Sequence, residues 1–61
     1  MGRYTVSDVV DLIDGQRVLV LREKSIPTSE LIYEVLNEDF KVFEVYEGKV
    51  ETIVRAAGLD D

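Results

Sequence analysis

Residues 16–23 read QRVLVLRE. Four consecutive apolar residues, Val18 to Leu21, between two arginines suit a strand over about 16–22. Strand side chains alternate, so Val18 and Val20 point one way and Leu19 and Leu21 the other. A strand apolar on both faces asks for cover on both sides. That demand is hard to meet in 61 residues. A chain this short buries only about 60% of the surface its unfolded form exposes. Scaffolds of this size rely on disulfides, a metal, oligomerisation or very tight packing. The chain has neither Cys nor His, so disulfides, thiolate sites and imidazole ligation are excluded. Tight packing or a partner remains, and a homodimer hides apolar surface most simply.

The segments around this strand read as helices. In YTVSDVVDLI, Val6, Val9, Val10 and Ile13 fall at i, i+3, i+4 and i+7, one helical face. Thr5 and Asp8 form a shortened capping box, Tyr4 can staple onto Val9, and Gly15 can end the helix. The spacing predicts a first helix over about 5–14. After the strand, Pro27 biases Ile26 away from helical angles. Thr28 or Ser29 then caps a second helix, with Leu31, Ile32, Val35 and Leu36 as its buried stripe and Asn37 near its end.

FKVFEVY, residues 40–46, is a second strand with Phe43 and Val45 on one face and Phe40, Val42, Glu44 and Tyr46 on the other. For VFEVYEGKVETIV two readings stay open. A hairpin turning at Glu47-Gly48 sets Val45 opposite Val50 and Glu44 opposite Glu51. A helix over 49–58 uses Val50, Ile53, Val54 and Ala57 at helical spacing, but its residues are β-branched and it lacks an N-cap. The hairpin is preferred because two strands alone make a weak sheet. The expected fold is α+β in the order α-β-α-β-β, three strands with two helices packed on them. The alternative order is α-β-α-β-α. The whole of 1–61 is read as one domain with a frayed acidic tail at 59–61.

Chemistry is sparse. Asp8, Asp11 and Asp14 recur every three residues, but helical spacing differs from a looped calcium ligand set, and a solvated face is the simpler reading. Glu44 and Glu51 face each other in the hairpin, on a domain too small to enclose a carboxylate pair. No Ser-His or Cys-His site can form, so no enzyme and no cofactor are expected. Arg22, Lys24, Ser25, Thr28 and Ser29 precede the second helix and form a candidate anion site, since helix N-termini attract anions. Tyr4, Tyr33 and Tyr46 are candidate interface residues, because Tyr offers contact area at low entropic cost. Val18 and Val20 join them if one strand face is covered by a partner.

LIDGQRVLVLR resembles the helix-Gly-strand start of the Phd/YefM class of antitoxins over eleven residues. The basic Gly-Lys-Pro turn of that class is replaced here by EKSIP. The resemblance implies a dimeric, toxin-binding regulator.

Charge narrows the partners. Seven basic against 13 acidic residues give a net charge of −6, and phosphate binding wants clustered Lys and Arg. Direct nucleic-acid binding is not expected. No apolar run approaches the roughly 18–20 residues that span a bilayer, and the start lacks a signal-peptide core. The expectation is a soluble cytoplasmic, non-catalytic interaction module that pairs with itself or another protein. The alternatives are an acidic regulator that mimics nucleic acid on a basic partner, and a weak anion or nucleotide binder at the second helix.

Overall fold

The computed structural model of the chain describes residues 3–25 and 31–57. Five strands carry the fold: β1 (Val9–Leu12), β2 (Arg17–Ser25), β3 (Leu31–Asn37), β4 (Val42–Tyr46) and β5 (Val50–Arg55). A single 3-10 turn, Glu47–Lys49, joins β4 to β5. The strands form one sheet in the order β4-β3-β2-β1-β5, and every neighbouring pair is antiparallel. The expected α+β architecture is therefore corrected to an all-antiparallel sheet, with neither expected helix among the described residues. Among the described residues no parallel pair exists for a crossover to join.

The first helix fails for a local reason. Thr5 and Asp8 do pair reciprocally: the Thr5 N–H donates to Asp8 Oδ2 at 2.9 Å, and the Asp8 N–H donates to Thr5 O at 3.0 Å. These bonds close a turn instead of opening a helix, because Ser7 lies at φ 78°, outside helical space. The chain leaves the turn extended, with Val10 and Leu12 on one face and Val9 and Asp11 on the other. Beyond Leu12, Asp14-Gly15 turns the chain back into β2, with Gly15 at φ 95°. Asp-Gly is a strong hairpin signal, and it outweighs the helical spacing that ends at Ile13.

The second expected helix is β3. LIYEVLN fits a period of 3.6 through Leu31, Ile32, Val35 and Leu36, but it also fits a period of 2 through Tyr33 and Val35. Both of those side chains are fully buried. Pairing on two sides decides for the strand: β3 runs against β2 from Val18↔Asn37 to Ser25↔Leu31, and against β4 from Ile32↔Tyr46 to Leu36↔Val42. Residues 42–46 are a strand with the alternation the sequence predicts; Phe40 belongs to the turn before it.

The tight hairpin at Glu47-Gly48 does not form. Residues 50–55 are extended, which sets aside the helical alternative there, but their partner is β1 and not β4. The 3-10 turn carries the chain across the molecule, and the Ile13 N–H donates to Lys49 O at 2.9 Å where it arrives. Glu44 faces Glu34, not Glu51. The predicted acidic tail at 59–61 lies outside the described residues.

One core results. Val10, Leu12, Val18, Val20, Tyr33 and Val35 form its buried centre, with Tyr4, Phe43, Val45 and Val50 packed around it. Phe43 and Val45 come from one edge of the sheet and Val50 from the other. Both edges reach the same cluster only because the sheet curls over its inner face, as strongly twisted sheets do. The one apolar surface it buries is its own. Tyr4 meets Tyr33 edge to face, with ring centroids 5.7 Å apart.

Two polar groups fasten this curl. Asp8 is buried, and its carboxylate accepts from the Thr5 N–H and, at 2.7 Å, from the Ala57 N–H. It joins the turn before β1 to the chain just past β5. The Tyr33 hydroxyl donates to Glu47 Oε2 at 2.8 Å and accepts from the Tyr4 N–H at 3.3 Å; the Arg3 N–H also donates to Glu47 Oε2. Burial, then the Glu47 carboxylate, pushes the Tyr33 hydroxyl up to about 12. The Arg3 N–H, then the Tyr33 hydroxyl, holds Glu47 below its usual range.

Two outcomes are expected. Asp8→Asn places an amide NH2 against one of two N–H donors and should cost about 1–3 kcal/mol, read as a lower urea midpoint at unchanged m-value. Tyr33 favours its neutral form when folded, so its contribution is complete below pH 10 and is lost as pH rises toward about 12. The stability difference between wild type and Tyr33→Phe should therefore shrink across that window; a difference that stays constant would refute the buried donor role.

Candidate interaction surface

The outer face of the sheet follows from the strand registers. Val9 pairs with Leu19, Leu19 with Leu36, and Leu36 with Val42. These residues alternate with buried Val10, Val18, Val20 and Val35, so their side chains lie on the opposite face. They form one apolar row across four strands. Each stays partly exposed, and Val42 reaches 53%. None of the described residues forms a layer over this row. Among the described residues, the sequence demand for cover on both faces of QRVLVLRE is met on one face only.

Charged pairs frame the row on either side. On one side Arg17 Nε donates to Asp11 Oδ1 at 2.9 Å and Arg17 Nη2 to Asp11 Oδ2 at 3.3 Å. The Arg17 guanidinium holds the Asp11 carboxyl below its usual range, and Arg17 is raised in turn. On the other side Glu34 stands opposite Glu44, an unfavourable pairing by itself. Arg22 Nε answers Glu34 at 2.7 Å, and Lys24 reaches across to Glu44. Each pair is surface-exposed, where solvent screening leaves an ion pair little weight in stability. Their larger effect is on the field. Three acids and three bases neutralise one another around an apolar strip, on a chain whose net charge is −6.

Two turns lie side by side at one end of the sheet. Asn37 Nδ2 donates to Gln16 Oε1 at 3.1 Å, joining the β3–β4 turn to the β1–β2 turn. Asn37 Oδ1 accepts from the Asp39 and Lys41 N–H groups and shapes its own loop. In the first turn Asp14 accepts from the backbone and side chain of Gln16, which lowers its pKa. Phe40, in the second turn, is 85% exposed. A separate cleft of about 350 Å³ opens between the edge strand β4 and the β1–β2 turn, with Leu12, Phe43 and Val45 in its lining and Asp14 and Lys49 at its margin.

The candidate residues read from the sequence fall in different places. Val18, Val20 and Tyr33 lie in the core, Tyr4 packs on Tyr33, and Tyr46 is 48% exposed on the outer face of β4. Arg22 and Lys24 sit on β2, engaged by Glu34 and Glu44. Ser25 ends that strand, and Thr28 and Ser29 lie outside the described residues. The helix that was to gather these five around an anion is replaced by β3. Asp8, Asp11 and Asp14 diverge into core, outer face and turn. Among the described residues, no three acids come together to hold a metal.

The sequence reading did not identify the Val9–Leu19–Leu36–Val42 row or Phe40. The signal available was Asp14-Gly15, which marks a hairpin and would have set Val9 beside Leu19. Among the described residues no helix is long and apolar enough to cross a membrane. The expected resemblance to the Phd/YefM start also loses its basis, since a strand and not a helix precedes Gly15. No family model, no curated protein and no solved structure matches the chain.

Proposed function

We propose that the chain is a small non-catalytic interaction module that pairs with a second copy of itself through the outer face of its sheet. The observation that carries this is the apolar row Val9–Leu19–Leu36–Val42, uncovered by the described residues and framed by ion pairs. An apolar centre with a polar rim is the usual anatomy of a protein interface. Charge favours a second copy as the occupant. Two molecules of net charge −6 repel, and this face is where their charges are balanced. Asp11, Glu34 and Glu44 are offset by Arg17, Arg22 and Lys24, so two copies meet there without stacking like charge on like charge. A polyanion or a polycation gains little from such a neutral strip.

The non-catalytic part of the proposal rests on the lack of Cys and His and on the engagement of the outer-face carboxylates with cations. The acidic-regulator alternative rests on the net charge. The same ion pairs weaken it, because a decoy for a basic site needs carboxylates free to be bound. A weak anion site near Arg22 and Lys24 would have to compete with Glu34 and Glu44.

Sedimentation at micromolar concentration tests the pairing. Wild type should sediment at twice its 6.9 kDa chain mass. Leu36→Lys, at the middle of the row, should weaken association by roughly tenfold or more, since it buries a charge at a dry centre. Its far-UV circular dichroism should stay as in wild type. Ile13→Lys, 58% exposed at the β1–β2 turn, is the control and should leave association intact. A monomeric wild type, or a Leu36→Lys variant that still dimerises fully, defeats the proposal.

A further inference from the structure

The β1–β2 and β3–β4 hairpins are built on the same turn. In the first, the Leu12 N–H donates to Gln16 O at 2.8 Å and the Gly15 N–H to Leu12 O at 3.0 Å. In the second, the Asn37 N–H donates to Lys41 O at 2.9 Å and the Phe40 N–H to Asn37 O at 3.0 Å. Gly15 and Phe40 hold the same place in the two loops, and both are left-handed, at φ 95° and 63°. Glycine adopts that backbone freely and asparagine tolerates it, whereas a bulky aromatic is strained there. The fold thus supplies its own comparison. One turn uses the residue the geometry asks for, and the other uses a bulky aromatic.

The isolated chain gains little in return for this strain. The Phe40 ring is 85% exposed, the most exposed of the large apolar residues described. Asn37 Oδ1, bonded to the Asp39 and Lys41 N–H groups, already fixes the loop without help from the ring. Strained residues persist where the surroundings hold them and where their direction is useful. Phe40 stands two residues before Val42, the outer end of the apolar row, within about 7 Å along the chain. An aromatic side chain beside an apolar strip is the kind of group that dominates interface energies.

We infer that Phe40 is the anchor by which the β3–β4 turn grips the second copy, a role that rests on the outer-face pairing proposed above. The left-handed backbone aims a ring away from its own core, and the partner copy supplies the apolar contact the chain itself lacks.

Phe40→Gly tests this with two measurements expected to move in opposite directions. The urea midpoint, measured at a concentration where the protein is monomeric, should rise as the strain is relieved. The dimer dissociation constant, from sedimentation equilibrium, should increase tenfold or more. Phe40→Asn also tolerates the left-handed backbone and lacks the ring, so it should weaken the dimer similarly. If Leu36→Lys dissociates the dimer while Phe40→Gly and Phe40→Asn leave its constant within twofold, the face stands and the anchor is refuted. If Phe40→Gly lowers the monomer's urea midpoint, the ring packs on its own chain and the anchor is again refuted. If wild type never dimerises, the face reading fails first and the anchor with it.

Discussion

A lone antiparallel sheet can bury a core only by folding over itself, and here the fold-over is secured where the turn before β1 meets the chain just past β5. β1 lies between β2 and β5, so the first strand pairs with the last. The Asp8 carboxylate sits at that junction, nine-tenths or more buried, accepting one N–H from before β1 and one from beyond β5. Both of its bonds hold backbone donors that would otherwise go unpaired at strand ends, where an orphaned group is costly. Close by, Tyr33 and Glu47 tie β3 to the 3-10 turn that redirects the chain into β5; the Tyr33 hydroxyl accepts the Tyr4 N–H while Asp8 accepts the next one, from Thr5. The fold thus has one polar fastening where the path leaves β4 and another just past β5, joined through Tyr4 and Thr5.

This arrangement spends the inner face on the core, and among the described residues nothing covers the outer face. In a two-layer domain a helix or second sheet would lie there. Instead the registers line up Val9, Leu19, Leu36 and Val42, with acids and bases paired along both sides. Edge protection is uneven as well. β5 carries two register shifts against β1, the kind of bulge that discourages edge-to-edge pairing, whereas β4 pairs with β3 without one. Glu44, held by Lys24 of β2, puts a charged side chain on that regular edge strand.

The sequence carried more of this than its helical spacing suggested. Val18 and Val20 against Leu19, and Phe43 and Val45 against Val42, Glu44 and Tyr46, alternate as the strands require; the expected place of Leu21 beside Leu19 is broken by the register shift between Val20 and Arg22. The Thr5–Asp8 reciprocal pair was legible too, and it forms, but as a turn. What misled was ambiguity of period. LIYEVLN satisfies both 3.6 and 2, and a short apolar run cannot choose between them without knowing its neighbours. VVDLI is similarly double-valued, and Gly15, which suits a helix end, instead turns a hairpin with Asp14. The pairing of β5 with β1 was out of reach, because it depends on a three-residue turn steering the chain to a strand some forty residues earlier. The candidate surface was hidden for the same reason. Its four members come from four strands, and only the registers bring them into one row.

Phe40 shows how a local misfit and a global one can share a cause. Stability of the isolated chain would be served by glycine at that turn and by polar residues along the outer row. The sequence has phenylalanine in the one place and Val9, Leu19, Leu36 and Val42 in the other. Either departure alone could be incidental, since single exposed apolar residues are common on protein surfaces. Together they are harder to dismiss. Phe40 lies on the hairpin that carries Leu36 and Val42, at their end of the row, and the described residues give the core a fully buried centre of six side chains. Local choices that oppose the stability of the monomer usually mark positions held for another purpose. The proposed pairing with a second copy would serve both: it would remove the row from water and give the strained ring the contact its own fold does not provide.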